Sequence, residues 1–530
     1  MQIQEFRSIV STFSDPGTEM LFDKNQMVIS VNGDLIEAKI STRDGDVFVE
    51  ENEAQFSASS WVINRLARLP ILAARLRSSI NRTPFFISPS ASLLPTLEKG
   101  PGGSEVHTED AVETTLLTLD GRSPLETTVL YITSDAGEGK TSLIHELSLA
   151  QANRFKERTS DWLLVPIPLG GRHFLRFDDI TIGALQNRYR FPFLYYDSFI
   201  ALVRMGVIVP AFDGFEEMFV EGSSGEALSA MGILVGSLDS RGAMIVAARK
   251  AYFEFESLST QERLFDTIRT HSVGFGKLEL NRWSKDEFVA YCKKRGIGDA
   301  EELYRKVSDR LTPDHALLTR AVLVKRLVDV ASEASSLDSL LLKLKESGVD
   351  FFSVFVTSLI EREANEKWID RSGEKEVGSP LLTVPEHFEL LSLVAMAMWE
   401  SKVDSLKRDS LEFVAEYFSE SSGKNAFQAQ QIKERIRGHA MLVPSSNIDQ
   451  ALEFDHDEFR LFFLGEAIGH QVSAMNDRSK AELFSTFRRG LLPKQAQLAF
   501  TRAVLRNRSL EPLKVTELLF DVGRMDGQVS

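Results

Sequence analysis

Cysteine is almost absent from this chain, since Cys292 is the only one among 530 residues. An intramolecular disulfide and a zinc site built from cysteines are therefore excluded, and a reducing compartment is expected. Long apolar runs are also missing, because the longest candidate, 351–360, is interrupted by serine and threonine and is shorter than the ~18 residues of a spanning helix. Residues 1–20 lack the basic start and apolar block of a secretory signal. The sequence therefore predicts a cytoplasmic protein with no membrane contact.

Positive charge is also in short supply. The chain has 61 lysines and arginines against 76 acidic residues, which gives a net charge of −15. Non-specific binding to nucleic-acid phosphates requires a positive field, so it is disfavoured for the molecule as a whole. Only 471–514 is locally basic, with nine lysines and arginines. Nucleic acid could contact the protein there, although most such excesses are solvated faces.

Hydrophobic patterning divides the chain into regions of different character. Residues 27–50 alternate apolar and polar positions between Asn-Gly and Asp-Gly turns, which predicts a β-meander, and a helix broken by Pro70 follows at 58–78. Proline, serine and glycine dominate 81–104 and indicate a linker. Apolar β-type runs alternate with helical stretches over 110–275, as in a parallel sheet. Beyond Glu279 the period is helical.

A phosphate-binding loop is predicted after the apolar run TTVLYIT. It reads Ser134-Asp-Ala-Gly137-Glu138-Gly139-Lys140-Thr141, and Ser142 continues into the helical stretch SLIHELSLA. Small residues let backbone N–H groups converge on phosphate oxygens at a helix N-terminus. In this position Lys140 would reach the β- and γ-phosphates, and the Thr141 hydroxyl would ligate Mg²⁺.

A second motif follows the apolar run GVIVPAF and reads Asp213-Gly-Phe-Glu216-Glu217. An acid at the carboxyl end of a buried strand faces the nucleotide crevice, where Asp213 would hold Mg²⁺ directly or through water. A second acid nearby can orient and deprotonate the attacking water. Alone, such a stretch is more often an acidic turn, and its place after the loop favours the functional interpretation. Pro210 predicts a strand that bulges or ends early.

A third candidate is Arg249, which ends the strand GAMIVAAR. An arginine at this edge of the sheet could contact the γ-phosphate and respond to its loss. Alone it would be interpreted as a surface arginine, and its order and spacing after the two motifs favour the site.

Together these motifs resemble the NACHT-type switches among the signal-transduction P-loop NTPases with several domains (STAND NTPases). The resemblance continues through LELNRWSKDEFVAYC (278–292), which is similar to the passage into a helical lid. It extends to Phe454-Asp-His456-Asp-Glu-Phe459, which is similar to a winged-helix motif whose histidine contacts the ADP phosphate. Without the resemblance, a half-buried structural histidine is the better interpretation of His456.

The resemblance implies an α/β P-loop core with a parallel sheet, followed by mainly α-helical lid and winged-helix domains. The expected boundaries are a small α+β N-terminal domain at 1–80, a linker at 81–109, the core at 110–276, the lid at 277–345, the winged helix at 346–470 and a helical basic tail at 471–530.

The resemblance also implies a set of roles for the site residues. ATP or ADP would bind to the loop with Mg²⁺, and Asp213 would support the metal. Glu217 would be the general base, with Glu216 where the family usually has aspartate. Arg249 would be the sensor, and His456 would lock the ADP state.

The N-terminal region carries one further pattern. Glu37 and Lys39, with Asp23 upstream, loosely fit a metal-dependent nuclease site. They alternate with apolar residues, so the solvent face of an amphipathic hairpin explains them equally well.

Two functions remain open at this stage. The resemblance implies an ATP-binding and hydrolysing switch that self-associates or activates a protein effector or sensor partner, in a prokaryotic setting such as antiviral defence. A different class is a DNA-associated regulatory ATPase, such as a loader or transposition regulator, or a nuclease gated by the ATPase. The basic segment favours the second class, and the overall charge opposes it.

Overall fold

The fold is described from a computed structural model. The described residues are 1–94, 105–135, 137–169, 176–215, 224–250, 271–311, 313–333, 356–357, 359–370, 379–445, 448, 451–474, 477–490, 492–506 and 512–525. No helix within these ranges combines the length and apolarity that a bilayer span requires.

The N-terminal module is an antiparallel five-stranded meander with flanking helices. Its elements are α1 (Ile3–Ser11), β1 (Leu21–Asp23), β2 (Gln26–Val31), β3 (Asp34–Arg43), β4 (Asp46–Glu51), β5 (Ala54–Ser57), α2 (Ala58–Trp61) and α3 (Leu69–Ser79). The predicted turns are confirmed, since Asn32, Gly33, Asp44 and Gly45 all have positive φ. The chain leaves the helical conformation at Arg68, whose φ is 51°, and Pro70 lies in the first turn of α3. Proline helps to start a helix there because its φ is already helical and its missing N–H needs no helical acceptor.

The core is a seven-stranded sheet in the order β7-β6-β12-β8-β11-β10-β9. The strands are β6 (Ala91–Leu94), β7 (Val106–Thr108), β8 (Thr127–Ser134), β9 (Leu163–Pro168), β10 (Ile208–Asp213), β11 (Ala243–Arg249) and β12 (Val273–Leu280). The five strands from β12 to β9 in this order run parallel, whereas β6 and β7 pair antiparallel at one edge. The helices of this part are α4 (Ala111–Asp120), α5 (Lys140–Lys156), α6 (Phe177–Gly183), α7 (Tyr196–Arg204) and α8 (Ser224–Ser237). The predicted α/β P-loop core is confirmed.

Apolar side chains cover both faces of this sheet. In β8, Val129 and Tyr131 belong to an apolar cluster that also contains the N-terminal module, while Leu130 and Ile132 belong to a cluster on the opposite face. This alternation follows from the two-residue period of a strand. The N-terminal module therefore shares its hydrophobic core with one face of the central sheet.

Two details of the core differ from the sequence interpretation. The stretch 81–109 is not simply a linker, because β6 pairs with β12 and β7 pairs with β6, so its ends extend the core sheet. Strand pairing with a segment so distant in sequence cannot be inferred from local composition. Pro210 does not end β10 early, because β10 pairs with β9 from Ile208 to Asp213. Pairing of β10 with β11 begins only at Ala211, so no hydrogen bond to β11 requires the missing N–H of Pro210.

The C-terminal half is mainly helical, and we keep the names lid and winged helix for the segments that the sequence analysis predicted as such. The lid helices are α9 (Lys285–Lys294), α10 (Ala300–Leu311), α11 (Ala316–Thr319) and α12 (Ala321–Glu333). The winged helix consists of α13 (Val384–Ser401), β13 (Ser405–Lys407), α14 (Arg408–Ser421), α15 (Ala426–Arg435), β14 (Leu442–Pro444) and β15 (Ala451–Phe454), with strand order β13-β15-β14. These strands interrupt the helical period expected after Glu279.

The last helices are α16 (Asp457–Ala474), α17 (Asp477–Arg488), α18 (Lys494–Arg506) and α19 (Pro512–Met525). The segment predicted as a basic tail packs closely on α16, because a Cβ at Gly465 or Gly469 would collide with the Cβ atoms of Ala499 and Ala503 in α18. Some of its positive charges are also satisfied within the fold, as Arg506 pairs with Glu466 and Lys480 with Asp521. The tail is thus an integral part of the C-terminal core.

Candidate nucleotide site

The predicted phosphate-binding loop lies between β8 and α5, at the carboxyl edge of the sheet. Gly137 and Gly139 have φ of +83° and +103°, a backbone conformation that favours glycine. A Cβ built on Gly139 would meet no atom within 4 Å, so the loop borders open space there. The 17-residue helix α5 begins at Lys140 and directs its N-terminal N–H groups toward the loop.

Lys140 is folded back onto this loop. Its Nζ donates to the carbonyl oxygens of Ser134 and Asp135 at 2.8 and 3.0 Å and to the Ser134 hydroxyl at 3.0 Å. The ammonium group thereby keeps the loop curved around the space that a phosphate would occupy. A phosphate oxygen is a stronger acceptor than a carbonyl and would compete for the same cation.

Thr141 and Asp213 meet across the edge of the sheet, as the sequence predicts. The Thr141 hydroxyl donates to Asp213 Oδ2 at 2.7 Å. Hydroxyl and carboxylate oxygens are ligands that Mg²⁺ accepts, and the ion usually keeps several waters and binds substrate phosphates as well. The donor set and the open loop therefore fit a magnesium–nucleotide complex.

One cavity brings the predicted residues together. Its volume is about 360 Å³, within the roughly 300–1,000 Å³ typical of small-molecule sites. The predicted residues that line it are Gly137, Glu138, Gly139, Lys140, Thr141, Ser142, Asp213 and Arg249. Glu216 and Glu217 lie outside the described residues, so their predicted roles stay predictions.

Other walls of this cavity come from the predicted linker, which the sequence analysis did not place there, and from the predicted lid. Phe85, Phe86 and Ile87 belong to the predicted linker, and Trp283, Tyr291, Ala321, Val322 and Lys325 belong to the lid. The lid also contacts the loop directly, because Val322 N donates to Gly137 O at 3.1 Å. We call this arrangement, in which the lid and the residues around Glu363 close the cavity over the loop, the closed arrangement.

Glu138 is the buried carboxylate of the loop, with an exposed fraction of 4 %. Burial and the nearby Asp135 raise its pKa to about 7, against the opposing effect of Arg320, Arg282 and Lys140. A protonated and an ionised loop therefore coexist near neutral pH.

Arg282 and Arg320 connect this loop to the winged helix through Asp455. Arg282 lies 3.3 Å from Asp135 and 3.6 Å from Glu138, and it also pairs with Asp455. Arg320 Nη1 lies 2.8 Å from Asp455 Oδ2, and the side chains of this second pair have no exposed surface. Sequence reasoning passed over Asp455, although it stands next to His456.

His456 does not line this cavity. Its ring lies 4.6 Å from that of His315, and His315 Nε2 lies 2.9 Å from a Glu458 oxygen. Burial and the adjacent His315 lower the pKa of His456. His456 is therefore outside the lining of this cavity, and both its phosphate contact and its role as state lock stay predictions.

The cluster of His315, His456 and Glu458 has the spacing of a metal site, since its ligand atoms lie within 4.8 Å of one another. However, Nδ1 of His315 accepts the Leu317 N–H and Nδ1 of His456 accepts the Glu458 N–H. These contacts place the ring protons on both Nε2 atoms, where a metal would need a lone pair. We therefore assign the cluster to hydrogen bonding between lid and winged helix.

Glu37 and Lys39 lie on the exposed face of β3, and Lys39 forms an exposed ion pair with Glu50 at 3.5 Å. This arrangement agrees with a solvent face, and their contribution to a nuclease stays an alternative.

Comparison with known proteins gives a general resemblance. No protein-family model and no curated protein matches the chain. The Walker-type ATPase of Pyrococcus abyssi resembles it with a TM-score of 0.35 and 13% identity, over 71% of this chain and 99% of that one. Cdc6p from Pyrobaculum aerophilum gives a TM-score of 0.28 and 13% identity, over 65% of this chain and 88% of that one. The Drosophila ORC bound to DNA gives 0.30 and 10%, over 74% and 91%.

These scores carry no argument about function, which is drawn below from the residues of this chain. The sheet order, the loop and the Thr141–Asp213 contact define the P-loop NTPase fold. The narrower assignment to the NACHT type finds no counterpart among the three structures named above and belongs to the proposal.

Proposed function

We propose that this protein binds ATP with Mg²⁺, hydrolyses it slowly and uses the change as a conformational switch. The observation that carries the proposal is the hydrogen bond between Thr141 and Asp213 at 2.7 Å, within a cavity that also contains Lys140 and Arg249. These residue types supply a metal site, a phosphate-binding cation and an arginine for the terminal phosphate.

Each residue has a defined task in this proposal. Lys140 leaves the carbonyl oxygens of Ser134 and Asp135 and neutralises the β- and γ-phosphates. Thr141 and Asp213 hold the Mg²⁺, which when bound would withdraw charge from the phosphates. Glu217 orients and deprotonates the attacking water, with Glu216 beside it as the second candidate.

The base of the nucleotide is assigned to the apolar half of the cavity. Phe85 and Ile87 from the segment before β6 and Tyr291 and Val322 from the lid line this part. Flat apolar and aromatic surfaces favour stacking and exclusion of water around a purine. The assignment of adenine as the base is carried over from the sequence resemblance.

The switch itself depends on contacts that differ between nucleotide states. In the closed arrangement Asp455 of the winged helix is linked to the loop through Arg282. We assign this arrangement to the ADP state, with ATP and a partner favouring an open form that self-associates. Following the resemblance to STAND NTPases, that partner would be a protein effector or sensor, in a cytoplasmic and prokaryotic setting such as antiviral defence.

A DNA-associated regulatory ATPase is the second candidate. It is supported by the α-β-α-α-β-β order of α13 to β15, which is that of a winged helix, a form of the helix-turn-helix fold used for DNA binding. Against it, α15 exposes Phe427 and Gln430, and the sequence between β14 and β15, residues 445–450, contains no lysine or arginine. Salt-dependent binding to duplex DNA, with log affinity falling linearly with log salt, would favour this candidate.

The proposal is tested by equilibrium titration of ADP and a non-hydrolysable ATP analogue with Mg²⁺. Lys140→Ala should abolish binding because the loop loses the charge that neutralises the phosphates. Lys156→Ala is a matched control, since Lys156 is exposed and ends the same helix α5. Unchanged affinity in a folded Lys140→Ala variant would contradict the proposal.

A further inference from the structure

Arg249, the predicted sensor, is held by a carboxylate from the C-terminal half. Its Nη2 lies 2.9 Å from Glu363 Oε1, and Nη1 and Nη2 both lie 3.3 Å from Oε2. The exposed fractions are 8 % for Arg249 and 2 % for Glu363. A forked, buried guanidinium–carboxylate pair is among the strongest and most directional polar contacts in a protein.

The surroundings of Glu363 keep its carboxylate charged and fixed. Glu363 begins a π-helical turn, Glu363–Lys367, and its Oε2 accepts a hydrogen bond from Trp368 Nε1 at 3.1 Å. Burial alone would raise the pKa of Glu363, but Arg249 and the adjacent His439 lower it to about 2. The carboxylate is therefore ionised across the physiological pH range.

The pair lies beside the position of the phosphates. Arg249 is the strand neighbour of Ser134 across β11 and β8, and Ser134 accepts a hydrogen bond from Lys140. Arg249 and Glu363 both line the cavity that contains Lys140. A third phosphate would therefore bring negative charge toward a guanidinium that already has an anionic partner.

We propose that Glu363 makes the closed arrangement selective for a nucleoside diphosphate over a triphosphate. Its carboxylate holds the guanidinium that a γ-phosphate requires, and its own charge repels that phosphate. A diphosphate needs no contact with Arg249 and leaves the pair intact. This inference rests on the proposed nucleotide binding and adds which residue distinguishes the two nucleotides.

The pair also explains how nucleotide exchange would reach the C-terminal half. A triphosphate that takes Arg249 must separate it from Glu363, and this leaves a buried carboxylate without its cation. Such a charge is costly, so the turn at 363–367 has to move toward solvent. Triphosphate binding and the closed arrangement thereby become mutually exclusive.

The test compares the affinities of ADP and a non-hydrolysable ATP analogue, both with Mg²⁺, for the full chain and its variants. In Glu363→Gln the ratio should shift toward the triphosphate by about ten- to a hundredfold, because one charged hydrogen bond is gained and one repulsion is lost. Glu363→Asp keeps the charge and should keep the diphosphate preference. Asp370→Asn is a matched control. Asp370 is also buried in this half, but it does not line the cavity, and its Oδ2 accepts a hydrogen bond from Gln428 Nε2 at 2.7 Å.

A second variant protects the test against misfolding. Arg249→Gln with Glu363→Gln removes both charges, so that no ion remains buried without a partner, and it should bind both nucleotides with similar affinity. A wild-type affinity ratio in either folded variant would overturn the inference. If the wild-type protein binds neither nucleotide, both the proposed function and this inference fail. If the wild-type protein binds both nucleotides and the ratio of their affinities is unchanged in Glu363→Gln, only the role of Glu363 fails.

Discussion

Replacement of Asp455 by asparagine should open the contact between the winged helix and the phosphate-binding loop. Asp455 pairs with Arg320 at 2.8 Å, and both side chains have no exposed surface. Asparagine keeps the shape and removes the carboxylate charge that faces the buried Arg320 guanidinium. Breaking a buried pair in this way costs about 3–5 kcal/mol.

The second partner of Asp455 adds less to this loss. The Arg282 side chain is 34 % exposed, so water screens its interaction and its share is about 1 kcal/mol or less. Most of the loss therefore falls on the junction between lid and winged helix, and a smaller part reaches the loop through Arg282. Since ~1.4 kcal/mol is a tenfold change, this smaller part speeds ADP release by several-fold.

Both effects can be measured on the same variant. Denaturant unfolding gives the loss of stability, and stopped-flow release of a fluorescent ADP analogue gives the dissociation rate. Asp457→Asn is a matched control, because Asp457 is exposed and pairs only at the surface with Arg460 among its described contacts. This control should change stability by less than about 0.5 kcal/mol.

A double variant separates the pair from the site. Arg320→Met with Asp455→Leu replaces both charges by apolar groups and should recover much of the lost stability. A loss below about 1 kcal/mol in Asp455→Asn, with unchanged ADP release, would refute the reasoning. If His456→Ala releases ADP faster than Asp455→Asn does, the state lock is His456, as the sequence resemblance implies.

Three further predictions concern the phosphate-binding loop, the general base and the N-terminal sheet. Ionisation of the buried Glu138 carboxylate costs the folded state up to about 3 kcal/mol of stability, and this cost develops as the pH rises from 4.5 to about 7. Glu138→Gln removes the cost, so it should raise the melting temperature at pH 8, whereas thermal melts at pH 5 should show little difference. Glu217→Gln should retain ATP and slow turnover by about 10²–10⁴-fold in a phosphate-release assay, and the same loss in Glu216→Gln alone would exchange their roles. Alanine at both Glu37 and Lys39 should leave ATP turnover intact, and loss of a metal-dependent nuclease activity in that variant would establish the nuclease alternative.

Much of the core could be predicted from the sequence because its signals are local. The strand that ends at Ser134 is a run of buried apolar residues, and the loop needs glycine at Gly137 and Gly139 for backbone reasons alone. Asp213 follows a second buried strand directly. Parallel strands bring such carboxyl ends to one edge, so the meeting of Thr141 and Asp213 follows from the topology.

The closing side of the cavity could not be predicted in this way. Glu363 lies in a polar helical stretch that reads as a solvent face, and its burial depends on Arg249, which is distant in sequence. Asp455 is buried for the same reason, through Arg320 and Arg282. Residues 83–87 have the composition of a linker, and they line the cavity because β6 pairs with β12 across the fold. Pairing between distant charges and strands leaves no periodic signal in a single sequence.

The central claim, that bound nucleotide controls the closed arrangement, is tested most directly by the native mass and hydrodynamic radius of the protein in two nucleotide states. Size-exclusion chromatography with light scattering would compare Mg²⁺–ADP with a Mg²⁺-bound, non-hydrolysable ATP analogue. We predict a compact species with ADP, and an expanded or self-associated species with the analogue that Lys140→Ala does not form. Identical mass and radius in both nucleotides, with binding demonstrated for each, would contradict the account.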